Sequence, residues 1–242
     1  MKENNTVSES RIIWSSPSAL VAYKNAGEIC EALEPESRAS LVSIIRNELA
    51  LSGHVDLEQV TAVHRIDRPV TGCTLFALTA ESASALSRQF SQGTIRKRYL
   101  AIVELSSFLT DTQSGKLEHW IRFDSKTQKS RILPLCETPR SPGWKKASLS
   151  WRLAGKGDHY AFLEIDPHTG RTHQIRAQLA FEGIPIKGDL KYGARRSERS
   201  GGIRLHAYMI QFTDISSGER ITVQSSCRNP DALWSAFPGL DS

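Results

Sequence analysis

Apolar residues recur along this chain in two rhythms. Short apolar or alternating runs at residues 19–23, 75–78, 99–103, 117–123, 147–153, 160–165, 205–212 and 220–224 predict β-strands. A three-and-four spacing, Leu41, Ile44, Ile45 and Leu49, predicts a helix over 35–51 that stops before Gly53. The Ala-rich stretch 81–90 and the stretch 172–182 also read as helices, the second with Gly183 just past its end as a cap. A short helix is expected over 231–237. Many strands with few helices, not strictly alternating, predict an α+β fold with a large mixed or antiparallel sheet. The polar residues 1–11 are expected to be disordered, and 12–242 to form one domain without internal repeats.

The chain of 242 residues is 39% hydrophobic, enough for one good core, and carries a net charge of +5. A basic balance is compatible with a polyanionic partner. The charge is uneven. Residues 116–148 hold eight basic and three acidic side chains, an excess equal to that of the whole chain. Pro134, Pro139 and the Pro142-Gly143 pair mark the middle of that stretch as loop. Residues 187–204 hold six basic and two acidic side chains. A solvated surface accounts for either stretch equally well.

Cys30, Cys73, Cys136 and Cys227 are far apart and form no CxxC pair, which argues for free thiols and against a zinc site or disulfide framework. No apolar run approaches the ~18 residues that would span a bilayer, and the N-terminus lacks the apolar core of a secretory signal. A cytoplasmic protein without membrane partners is expected.

Two segments carry chemistry. In His64-Arg65-Ile66-Asp67-Arg68-Pro69-Val70-Thr71-Gly72, one carboxylate sits between two guanidiniums in a turn. An adjacent guanidinium favours the ionised carboxylate, which can then act as nucleophile or base without a metal. A salt bridge that merely orders the turn is the competing reading. In Asp166-Pro167-His168-Thr169-Gly170-Arg171-Thr172-His173-Gln174-Ile175-Arg176, a turn delivers the chain into a helix, with Thr172 or Thr169 as N-cap and Arg171 and Arg176 around its start. His168 and His173 are five apart, not the four of a helical zinc pair, so no metal site is expected.

These residues resemble the RluA family of RNA pseudouridine synthases. HRIDRPVTG with the following CTLFALT is similar to the family's H-R-L-D-x-x-T-S-G motif. Arg98 to Val103 resembles its K-x-Y-x-A-x-V segment, HTGRTHQIRAQLAFEGIPIKGDLKYG its T-G-R-T-H-Q-I-R signature, and Arg204-Leu205-His206-Ala207 its L-H-A strand. The four matches fall in the family's order between residues 63 and 212. Thr71 and Val70 replace the usual serine and threonine, Asn25 a proline that often follows the lysine, and the first fifth of the chain matches weakly.

The resemblance implies the pseudouridine synthase fold, a mostly antiparallel mixed sheet with a central cleft. It implies that uridines in a structured RNA, an rRNA or tRNA stem-loop, become their C-glycoside isomer. It assigns the essential carboxylate to Asp67, its ionic partner to Arg176 and a ring that stacks on the base to Tyr99. Arg65 is implied to fill the gap of the flipped base or hold its phosphate, and Leu205 to floor the pocket. A family hairpin grips the RNA stem, which gives Lys126, Lys129, Arg131, Lys145 and Lys146, with Arg171, a role on phosphates. Trp120 and Trp144 either stack on bases or pack inside. No cofactor, no metal and no separate RNA-binding module are expected, and the chain is expected to act as a monomer. Two rivals stand at this point: an RNA-binding protein of the same fold that has lost catalysis, and a metal-dependent nuclease built on His64, Asp67, His168 and His173.

Overall fold

β2 (Ala19–Lys24) is buried on both faces, which is why its sequence runs apolar without alternating. In this computed structural model, which describes residues 10–31, 40–53, 56–109, 112–198 and 201–238, β2 lies near one edge of a single eleven-stranded sheet. It pairs with β1 (Ile12–Ser15) and with β4 (Thr71–Ala77), which β3 (Thr61–Ala62) also joins. The sheet continues from β4 through β10 (Leu205–Thr213), β5 (Arg96–Glu104), β9 (Tyr160–Pro167), β8 (Lys145–Lys156), β6 (Ser114–Asp124) and β7 (Lys129–Pro134), while β11 (Arg220–Gln224) pairs with β10.

Among the described strands, only β4 and β10 pair in parallel, through Thr71–His206 and Gly72–Ala207. Gly72 has φ +113, and a Cβ there would lie 2.3 Å from the Ala207 carbonyl oxygen. Only glycine permits this approach, which brings the turn ahead of β4 beside the start of β10.

Helices cover both faces. α1 (Leu41–Leu51) sets Leu41 and Ile45 against Leu20, Ala22 and Phe76. α2 (Ala80–Ser91) starts on a reciprocal Thr79–Ser82 capping box and sets Leu86 against Ala19, Val21 and Leu75. α3 (Gln174–Phe181) packs Ile175 and Leu179 against Leu149, Leu163, Ile165 and Leu205. α4 (Ala232–Ser235) and Phe237 close over Leu100, Ile102 and Phe162. Burial of each such side chain contributes about 1.5–3 kcal/mol. No helix among the described residues is long and apolar enough to cross a membrane.

The α+β expectation holds, with local corrections. The first helix begins at Leu41 on a Ser40 cap; residues 35–39 of the expected span lie outside the described residues. Of the segment expected to be disordered, residues 1–9 are likewise outside, and Arg11 is anchored on Glu28. The strand expected at 75–78 starts at Thr71, because small and polar residues there pair with buried neighbours. Neither Thr169 nor Thr172 caps α3. The N-cap is His173, at φ +53 and without a side-chain cap bond, while Thr169 donates to Gln174 Oε1 at 2.7 Å. Gly183, at φ +74, follows the helix as expected. In the basic stretch, β6 and β7 form a hairpin whose second strand Pro134 closes, while Pro139 and Pro142-Gly143 lie in the expected loop, residues 135–144.

Candidate active site

Four stretches of chain converge where β4 and β10 meet. The first is the turn at Asp67, closed by the Val70 N–H donating to the Asp67 carbonyl at 2.9 Å. Pro69 keeps Arg68 out of the helical region. The Arg68 carbonyl accepts from the Gly27 N–H at 2.8 Å and from Lys24 at 3.0 Å. Lys24 is fully buried and spends its remaining two protons on the carbonyls of Asn25 and Glu28, both at 2.9 Å. Burial pulls its pKa down to about 8.

The second stretch supplies Arg176, in the first turn of α3 and almost fully buried. Its Nε and Nη2 grip Asp189 at 2.6 and 2.9 Å, and its Nη1 donates to Asp67 Oδ2 at 3.0 Å. A cation at a helix N-terminus opposes the macrodipole, and burial opposes its charge too. Asp189 first and Asp67 second outweigh that burial, so the guanidinium is held more firmly charged than usual. Asp67 Oδ1 makes no hydrogen bond among the described residues.

β5 and β10 supply the walls. Their register sets Tyr99 opposite Ala207 and Ala101 opposite Leu205, so the Tyr99 ring and the buried Leu205 line one cleft with Asp67 and Arg176. Burial, and then the Asp67 charge, push the Tyr99 phenol well above its usual range. Arg65 and Arg171 line the same cleft and are exposed. All six residues singled out for the site are therefore brought together.

The basic residues of the β6–β7 hairpin and of the start of β8 stand apart from the cleft. Lys126, Lys129, Arg131, Lys145 and Lys146 are exposed and do not line it. Arg131 pairs with Asp124 at 2.8 Å. Lys146 lies over the half-buried Trp120, and Arg122 over Trp144. Arg171 joins the cleft to β8 by donating to the Lys146 carbonyl at 3.2 Å.

Asp189, Tyr192 and Lys97 escaped the sequence reading, and His173 was considered there only as a metal ligand. Asp189 and Tyr192 hold Arg176, the latter with its ring 5.1 Å below the guanidinium. His173 brings Nε2 to 4.0 Å from Asp67 Oδ2. Lys97 lines the cleft two residues before Tyr99 and so on the same strand face. Its ammonium sits 5.7 Å from the Phe90 ring centroid, with no carboxylate in ion-pair range among the described residues, and burial lowers its pKa. The two-residue spacing Lys97-Arg98-Tyr99 was the available signal, passed over because the motif was read from Arg98.

The metal-nuclease arrangement does not assemble. His64 accepts the Leu75 N–H on Nε2 at 3.1 Å, and burial, with Lys97 nearby, pulls its pKa to about 3. His168 is hydrogen-bonded to Ser150 at 2.8 Å and does not line the cleft. Among the described residues no group of three or more His, Cys, Asp or Glu is placed to hold a metal.

Residues 18–181 match the family described as RNA pseudouridylate synthase. The chain is 27% identical to tRNA pseudouridine synthase C of Salmonella typhi over 92% of this chain and 86% of that one. It is 30% identical to tRNA pseudouridine synthase C of Haemophilus ducreyi over 69% and 72% respectively. Among solved structures, human RNA pseudouridylate synthase domain containing 4 superposes with a TM-score of 0.73 at 18% identity, covering 93% of this chain and 90% of that one. The fold is thus shared with pseudouridylate synthases.

Proposed function

Since the chain belongs to the RNA pseudouridylate synthase family and is an RNA pseudouridine synthase, we propose that Asp67 carries its chemistry. The observation behind this reading is the carboxylate itself. Arg176 holds one of its oxygens, and the other is left without a partner in a cleft shared with Tyr99 and Leu205.

The reaction breaks N1–C1′, turns the uracil and forms C5–C1′. C5 gives up a proton and N1 gains one. Atoms and electrons balance within the substrate, so the chemistry calls for no redox partner. The target base is unreachable while stacked and is flipped into the cleft, at a cost of a few kcal/mol. Tyr99 stacks on it, Leu205 floors it, and Arg65 occupies the gap or holds its phosphate. The cleft then keeps the detached base beside the sugar, which is catalysis by positioning.

RNA reaches the cleft across the basic β6–β7 hairpin and the start of β8, where Lys126, Lys129, Arg131, Lys145 and Lys146 meet phosphates, and past Arg171 and Lys97. The names of the bacterial relatives favour a tRNA target over an rRNA one. We place the enzyme in the cytoplasm, acting as a monomer without a membrane partner.

The test is release of tritium from RNA labelled at uridine C5, together with chemical mapping of pseudouridine in total RNA from cells with and without the gene. Asp67→Asn keeps the shape and removes the charge. It should abolish release while RNA affinity holds. Substantial turnover by that variant, or strand scission that needs magnesium, would overturn the reading.

A further inference from the structure

We infer that His173 is a positioning residue of this site: a neutral imidazole that presents its Nε2–H to Asp67 Oδ2 and so leaves Oδ1 as the reacting oxygen. The inference rests on the assignment of Asp67 above.

Its backbone is the first observation. His173 has φ +53, a left-handed conformation uncommon outside glycine that persists only where the surroundings enforce it, characteristically at functional sites. There the ring lies between Asp67 and Tyr192, with the edge of Phe123 against it.

The hydrogen-bond chain behind the ring decides the tautomer. The Tyr192 phenol oxygen accepts the Ser130 N–H at 2.6 Å. Its own proton faces His173 Nδ1 at 3.0 Å and the Ser130 hydroxyl, whose own proton goes to the Thr172 carbonyl at 2.6 Å. With Nδ1 taking the phenol proton, the imidazole proton resides on Nε2. Nε2 is the atom that stands 4.0 Å from Asp67 Oδ2, a gap of the kind that tightens when substrate closes a site. Arg176 already donates to the same oxygen. Both donors thus act on Oδ2, and the carboxylate can turn only Oδ1 to the substrate.

The charged groups around the ring are Asp67, Arg176, Lys191 and Asp189. Burial is the strongest influence and lowers the imidazole pKa; Asp67 raises it, and Arg176 and Lys191 lower it. A neutral donor results at neutral pH. The chain also reaches the hairpin: Ser130 belongs to β7, and its hydroxyl donates to the Thr172 carbonyl at 2.6 Å, one residue before the imidazole.

The test reads tautomer and turnover in the full chain. Nitrogen-15 NMR of histidine-labelled protein, with the His173 signal identified by its loss in His173→Asn, should show the Nε2–H form. Tyr192→Phe should disperse that form. Asparagine tolerates the left-handed backbone, so His173→Asn is not expected to unfold the loop. On total tRNA from cells lacking the gene, both variants should slow single-turnover tritium release about 10- to 100-fold, with affinity for the same tRNA unchanged. An Nδ1–H form in the wild type, or wild-type rates in both variants while Asp67→Asn is inactive, overturns the inference. Activity in Asp67→Asn would instead remove its premise, whatever the tautomer.

Discussion

Arg176 and Asp189 meet at two points, Nε to Oδ2 at 2.6 Å and Nη2 to Oδ1 at 2.9 Å, and this leaves Nη1 to face Asp67. The fork fixes the plane of the guanidinium, and hence the direction from which Asp67 is held. Asp189→Asn can accept one of the two bonds and should cut single-turnover tritium release about 10- to 100-fold by misplacing the guanidinium. Arg176→Lys should fare worse, since an ammonium cannot reproduce the planar fork. Asp189→Ala should also lower the melting temperature, because removing one partner of a buried pair costs about 3–5 kcal/mol. Equal rates for Asp189→Asn and wild type would show that Arg176 needs no second carboxylate.

Tyr99 offers a separable test of ring against hydroxyl. Its phenol stays protonated, held there by burial and by the charge of Asp67, so it is poorly suited to remove a proton. Tyr99→Phe should keep most of the turnover. Tyr99→Ala should lose the stacking of about 1–3 kcal/mol, or about 5- to 150-fold in single-turnover rate. A phenylalanine variant as inactive as the alanine one would give the hydroxyl a chemical role.

The sequence revealed the site's residues better than its supports. Asp67, Tyr99, Arg176 and Leu205 stood inside recognisable segments, and the cleft gathers all of them. Their supports lie in long-range pairing that local periodicity does not carry. The parallel contact of β4 with β10 joins Thr71 to His206, 135 positions apart. Lys24 reaches Arg68 across 44 positions. Asp189 precedes a short turn at Leu190–Tyr192 whose sequence gives no hint of a buried ion pair. β7 went unrecognised for a different reason. β7 is the edge strand, and an edge strand tolerates a proline at its end that a central strand would not.

Lys97 is expected to bind phosphate. Its ammonium is partly desolvated in the cleft wall, over the Phe90 face and with no carboxylate in ion-pair range among the described residues, and a phosphate of the bound strand would complete its environment. Lys97→Met should weaken RNA binding and reduce the salt slope of log K by about 1. Charge removal at Lys129 or Lys145 should act likewise, each through one phosphate, while turnover of bound RNA persists. Measuring affinity for total tRNA at several salt concentrations distinguishes this from a structural defect. An unchanged slope with reduced affinity would assign Lys97 to packing.

Lys24 makes stability and activity diverge at alkaline pH. Its pKa lies near 8 in the folded chain, lowered by burial from 10.5. Between those values the unfolded chain binds a proton that the folded chain has released, so this group's contribution to stability increases as pH rises through that window. Yet the neutral amine has two protons for three carbonyls, and one of these, Arg68, braces the turn of Asp67. Turnover should therefore fall above about pH 8 while this contribution to unfolding free energy grows. Lys24→Met removes this donor from the Asn25 and Glu28 carbonyls and leaves the Arg68 carbonyl with the Gly27 N–H alone; it should be destabilised by about 1–3 kcal/mol for each carbonyl left unsatisfied that water does not reach. Urea titrations and single-turnover rates from pH 7 to 10, with carbon-13 NMR following the Lys24 Cε, would test this together. A Lys24 midpoint near 10.5 would remove the cause.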